Sequence, residues 1–165
     1  MGYTHYYTRS KSNKGTAEMY GRLALDALAI IAEAGRRGIV IRDGHGRGKP
    51  EFNEAYFCIN GDKETATDIA HEGFVWEANP EQKEWQLEYL TASGGNTDEI
   101  TEFCKTRQKP YDAVVTAILI RAKVIYGDLV EVSSDGFWGE WSEGRDLYRA
   151  VFGEEAPNPF PSLVF

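Results

Sequence analysis

PYDAVVTAILIRAKVIY, residues 110–126, decides the fold. Val114, Val115, Ile118, Leu119, Ala122 and Ile125 recur at helical spacing and leave little of the circumference polar. A helix that is apolar nearly all round belongs in the middle of a domain, packed on every side. Pro110 suits a first helical turn, where a missing N–H costs nothing, and Gly127 suits the stop. The rest of the chain is to be arranged around this helix.

Beyond it, Leu129–Val132 reads as a strand, Asp135-Gly136 as a turn, and Ser142–Phe152 as a helix capped by Ser142 and ended by Gly153. The tail, 153–165, carries Pro157, Pro159 and Pro161 and must run extended. Its last residues, Leu163, Val164 and Phe165, are expected to dock on the body or on a neighbouring subunit. Toward the N-terminus, Thr16–Arg37 reads as a helix whose Met19, Leu23, Ala27, Ile30, Ile31 and Ala34 form one buried stripe. Tyr3–Thr8, Ile39–Ile41, Ala55–Ile59 and Gly73–Glu77 read as strands, with Asn60-Gly61-Asp62 as a turn. Between 79 and 96, Trp85, Leu87 and Tyr89 alternate as in a strand. No repeat or linker divides the chain. The reading is a single α+β domain over residues 1–165, a mostly antiparallel sheet with about three helices packed on it.

Composition sets bounds. With 165 residues, 42% apolar and 13% aromatic, the chain has the makings of one globular core and is not a disordered polymer. No run approaches the ~18 to 20 apolar residues of a membrane span. The 18 basic and 26 acidic residues give a net charge of −8, which argues against direct nucleic-acid binding by a broadly basic surface. The N-terminus has no apolar signal region, so Cys58 and Cys104 are expected as free thiols in a reducing cytoplasm.

For chemistry, His5, His45 and His71 are scattered without ligand spacing, so neither a metal nor a cofactor is expected. Cys104 precedes Lys105, Arg107 and Lys109, which would lower a thiol pKa, but the favoured reading puts Phe103 and Cys104 in the core at a strand end. The glycine-rich loop Gly44–Lys49 fits no phosphate-cradle motif and reads as a hairpin tip rather than a cationic loop closing on an anion. The densest polar block is CKTRQKPYD, residues 104–112, with Lys105, Thr106, Arg107 and Lys109 just before a helix start. Free N–H groups and the helix dipole already favour an anion there, and cations gathered at that end need a compensating one. Either a bound anion or Asp112 supplies it. Ser134 and Asp135, beside Trp138 and Trp141, suit ribose and base contacts or simple turn chemistry with indole anchors.

The Met-Gly-Tyr-Thr-His-Tyr start, Phe-Cys-Lys-Thr-x-x-Lys-Pro-Tyr-Asp at Phe103–Asp112 and Ser-Ser-Asp-Gly at Ser133–Gly136 resemble a family of small uncharacterised phage, prophage and bacterial proteins. The family's Phe-Asn-Gly and His-Glu-Thr-Phe correspond here to Ile59-Asn60-Gly61 and His71-Glu72-Gly73-Phe74. Gly73 replaces the usual threonine, and Arg107 stands one position from the family's arginine. The resemblance implies a phage accessory factor, and by analogy one acting against host defence in the host cytoplasm.

The expected function is capture of a small phosphorylated, nucleotide-like ligand without turnover. Lys105, Thr106, Arg107 and Lys109 would hold phosphate beside Tyr111 and Asp112, with Asn60, Ser134 and Asp135 in the same site. His71 and Glu72 would touch ribose or base, and Tyr6, Trp138 or Tyr111 would stack. One alternative is a nucleotide-processing enzyme with His71 as general base, oriented by Glu72 or Asp112. Another is an acidic inhibitor of a host defence protein. A homo-oligomer is expected from the apolar tail and the surplus of aromatics.

Overall fold

The computed structural model describes residues 2–65 and 68–162. The apolar stretch forms α3 (Asp112–Tyr126), in which every residue from Ala113 to Ile120 is buried. Around it pack α1 (Ala17–Arg36), α4 (Ser142–Phe152) and the strand β7 (Val130–Ser134). The α1 stripe of Tyr20, Leu23, Ala27, Ile30 and Ala34 is buried, and Thr16 caps the helix by accepting the Met19 N–H at 3.1 Å. Helix α4 starts differently from the sequence reading. Ser142 is its first helical residue and makes no cap; the chain enters through a short 3₁₀ turn, Trp138–Trp141. At the α3–α4 crossing a Cβ on Gly144 would overlap Thr116 Oγ1, so the close approach depends on glycine.

One antiparallel sheet has the order β6-β1-β7, from β6 (Glu99–Lys105) and β1 (Thr4–Ser10). In the other, β4 (Tyr56–Gly61) pairs with β2 (Ile41–Arg42), β3 (Glu51–Phe52) and β5 (Phe74–Glu77). The fold is α+β, as the sequence indicates. Between 79 and 96 lies a fourth helix, α2 (Glu84–Ser93), where the alternation of Trp85, Leu87 and Tyr89 suggested a strand. On a helix Trp85 and Tyr89, four apart, share a face and Leu87 does not. Gly94, at φ 73°, ends it. Among the described residues no helix is long and apolar enough to cross a membrane. The tail docks through Phe160, whose ring lies 4.9 Å from that of Trp141; Leu163, Val164 and Phe165 lie outside the described residues.

No ladder joins β5 to β6 among the described residues; side chains close the seam between the sheets. Tyr7 Oη donates to Val75 O at 2.6 Å and Tyr111 Oη to Glu72 O at 2.6 Å. Arg9 Nη2 donates to Glu77 O at 2.9 Å and to Glu102 Oε1 at 3.0 Å. The Glu72, Val75 and Glu77 carbonyls therefore each accept from a side chain, and one backbone bond, Glu72 N–H to Lys105 O at 3.2 Å, adds to them.

The seam makes stability depend on pH. Burial lifts the Glu102 carboxyl to about 7, against the opposing pull of the Arg9 charge and hydrogen bond, with Glu77 adding to the rise and Lys83 opposing it. A carboxyl raised in the folded state binds more protons there than in the unfolded chain, so stability falls as pH rises. The Glu102 contribution is present below its ordinary range near 4.5 and is gone above about 7. Urea unfolding of the parent between pH 5 and 8 should show a loss of up to about 3 kcal/mol from this group. Glu102→Gln, which keeps an acceptor for Arg9, should flatten that slope; an equally steep slope in the variant would rule out Glu102 as its source.

Candidate functional site

Strand β6 ends at Lys105, and the chain then turns sharply into α3. Arg107 and Gln108 both take left-handed conformations, φ 52° and 55°, a costly arrangement for residues with side chains. What enforces it is the interior. The N–H groups of Thr106 and Arg107 both donate to Tyr3 O, at 3.0 and 3.3 Å. Fully buried Thr106 donates from Oγ1 to Asp112 Oδ1 at 2.5 Å. The same oxygen faces Nε2 of His5, itself fully buried, at 2.6 Å, while His5 Nδ1 meets Ser134 Oγ at 2.8 Å. Gly136 N–H donates to Ser134 Oγ at 3.0 Å. Read as one network, the tautomer with hydrogen on Nε2 satisfies every member: Gly136 to Ser134, Ser134 to His5, His5 to Asp112. Asp135 closes the end of β7 by accepting the Thr4 N–H at 3.0 Å.

On the outer side of the turn, three loops converge. Asn60, fully buried, donates to Gly44 O and His71 O at 3.1 and 3.0 Å and accepts from Gly61 and His71 N–H. Lys63 N–H reaches Gly46 O at 2.8 Å. Glu72 N–H donates to Lys105 O at 3.2 Å, and its carboxylate accepts Lys105 N–H at 3.0 Å. Lys63, His71, Lys105, Arg107 and Lys109 are thereby gathered in an otherwise acidic chain. Partial burial and then the charge of Arg107 lower the His71 pKa; Glu72 opposes them, and Lys105 and Lys63 add smaller effects in the lowering direction. Lys109 Nζ lies 2.7 Å from the exposed Asp68 carboxylate and holds its pKa down.

The residues singled out in the sequence thus divide. Lys105, Arg107, Lys109, His71 and Glu72 share the outer cationic corner. Thr106, Tyr111, Asp112 and Ser134 lie behind the turn, Tyr111 and Thr106 with no exposed surface and Asp112 with 14% of its side chain exposed. Asn60 spends its amide stapling the loops. Trp138 is covered by Arg145, 4.4 Å over its ring, and of the three proposed stacking rings only Tyr6 faces outward on an open sheet. His5 and Lys63 were missed. Lys63 carries no local motif, and the pairing of His5 with Asp112 exists only once β1 lies beside α3.

Other chemistry finds little here. No hydrogen bond joins the His71 ring to Glu72 or Asp112 among the described residues. Cys58 and Cys104 are free and buried, and burial raises both thiols, that of Cys58 to about 11. Phe103, by contrast with the core placement expected, is half exposed. The Gly44–Lys49 segment is not the hairpin tip expected: it joins β2 to β3, which both pair with β4 and not with each other, and Asp43 at its start accepts the His45 and Arg47 N–H groups. Among the described residues no group of three or more His, Cys, Asp or Glu side chains is placed to hold a metal ion. Comparison with protein-family models, with curated proteins and with solved structures returned no match to this chain.

Proposed function

We propose that the chain captures a small phosphorylated ligand at the corner formed by Lys63, Lys105, Arg107 and Lys109, and holds it without turnover. The observation that carries this reading is the gathering of Lys63 from one loop with Lys105 and Arg107 from the turn before α3 around His71, in a chain of net charge −8, with Lys109 of the same turn paired to Asp68. Asp68 and Glu72 offset part of this charge, and Lys63, Lys105 and Arg107 leave a cationic excess that a further anion would join favourably. Arg107 matches a phosphate bidentately, and the lysines add charge without demanding geometry. His71, uncharged when its pKa is lowered, serves as a hydrogen-bond partner; a phosphate arriving beside it should raise that pKa. The counter-defence setting, with a nucleotide signal of a bacterial immune system as cargo, is analogy that starts from the resemblance of the Phe103–Asp112 and Ser133–Gly136 motifs.

Mass spectrometry of small molecules released by heating the purified protein is the test. The parent should release an intact phosphorylated compound, and Lys105→Ala/Arg107→Ala/Lys109→Ala should release none while keeping the parent's circular dichroism. Equal release from both proteins would place the ligand elsewhere. A hydrolysed product recovered in its stead would turn the reading toward an enzyme.

A further inference from the structure

The outer face of the β6-β1-β7 sheet carries an apolar groove of about 280 Å³, closed on one side by α2. Side chains alternate along a strand, so Glu99, Thr101, Phe103 and Lys105 stand in order on this face of β6. Tyr6 lies directly opposite Phe103 in the ladder, and Trp85 and Tyr89 lean over from α2. Phe103 is 50% exposed, Trp85 56% and Tyr89 68%. Four aromatic rings around one slot, three of them half in water, leave apolar faces that a flat ring would cover.

The charges at the two ends of the slot are opposite. Glu99 lines one end, and its carboxylate has no hydrogen bond or ion pair among the described residues. Lys105 lies beyond the other end, two residues past Phe103, where β6 runs into the cationic corner. From Glu99 to Lys105 the strand spans roughly 20 Å, about the reach of an extended nucleoside di- or triphosphate between long side chains. An acceptor-only carboxylate favours a base edge that presents N–H donors, and it repels phosphate, which fixes the direction of the ligand.

We infer that the groove takes the base of a guanine-type nucleotide, its ring N–H groups toward Glu99, its plane against Phe103 and Tyr6, and its phosphates toward Lys105. This rests on the phosphate-binding corner proposed above and names what is attached to the phosphate. The groove also supplies the stacking surface that Tyr111 and Trp138, both occupied, do not.

Calorimetric titration of the full chain with GDP, ADP and inorganic pyrophosphate decides the matter, repeated for Phe103→Ala, Glu99→Gln and Lys105→Ala/Arg107→Ala. The parent should bind GDP at least about tenfold more tightly than ADP, as expected for a carboxylate paired to a base edge. Phe103→Ala should weaken GDP about tenfold through lost stacking and leave pyrophosphate unchanged. Glu99→Gln should abolish the preference for GDP. Both side chains are at the surface, so the fold should persist, which circular dichroism checks. Pyrophosphate bound as tightly as either nucleotide, with no effect of Phe103→Ala, would overturn the base slot and leave the phosphate reading standing. Equal affinity for GDP and ADP would overturn the guanine assignment. GDP binding that survives Lys105→Ala/Arg107→Ala but not Phe103→Ala would keep the slot and sink the phosphate corner. No binding of any of the three probes would sink both.

Discussion

Arg9→Met should destabilise the protein by about 3–5 kcal/mol, the range for breaking one side of a buried ion pair. Arg9 is 2% exposed, and its guanidinium holds Glu77 O, Glu102 Oε1 and, at 3.3 Å, Lys14 O. It also lies 4.5 Å from the ring centre of Trp76 and 5.6 Å from that of Tyr126. Methionine fills much of the space but donates nothing. The Glu77 carbonyl loses its side-chain partner, and Glu102, already near neutrality, must keep its proton to higher pH. Urea unfolding measures the loss, and its pH dependence carries the signature: the drop linked to Glu102 should move above pH 7. Arg9→Met/Glu102→Leu, with both partners apolar, should recover part of the stability. A single variant as stable as the parent would mean that the seam is held by packing of Tyr7, Phe74 and Trp76 alone.

That seam marks where the sequence stops being legible. The core helix, the α1 stripe and the strands at Tyr3–Thr8 and Gly73–Glu77 follow from local periodicity, because burial of one face writes itself into spacing. The helix at Glu84–Ser93 was hidden, since it buries only Gln86 and so has no stripe to read. Arg9 gave no signal at all. A lone cation in an aromatic strand reads as a surface residue until β5 is placed beneath it. The candidate site shows the same division. Lys105, Arg107 and Lys109 are close in sequence and visible as a run, whereas Lys63 joins them only through the Asn60 staple between Gly44 and His71. Thr106 belongs to the same run, yet its neighbours send it inward; the run gives composition, and the turn gives direction.

Asp112→Ala should cost about 3 kcal/mol and also weaken ligand capture, although Asp112 Oδ1 is taken by the buried donors His5 and Thr106 rather than by a cation. Its Oδ1 is the acceptor at the end of the network, receiving His5 Nε2–H and Thr106 Oγ1–H. Both donors are fully buried, and each left without an acceptor costs on the order of 1–3 kcal/mol. Loss of a carboxylate from the first turn of α3 adds a few tenths of a kcal/mol through the helix dipole. The functional loss follows from backbone strain. Arg107 and Gln108 keep their left-handed conformations only while Thr106 is pinned between Tyr3 O and Asp112, so releasing Thr106 lets the turn relax and disperses the cations. Asp112→Asn, which retains one acceptor oxygen without the charge, should fall between alanine and the parent in both stability and affinity. Urea midpoints and pyrophosphate titration, measured on the same preparations, separate the two effects. Lost stability with unchanged affinity would mean that the turn holds its shape without the network, and that His5, Ser134 and Asp112 serve the core alone.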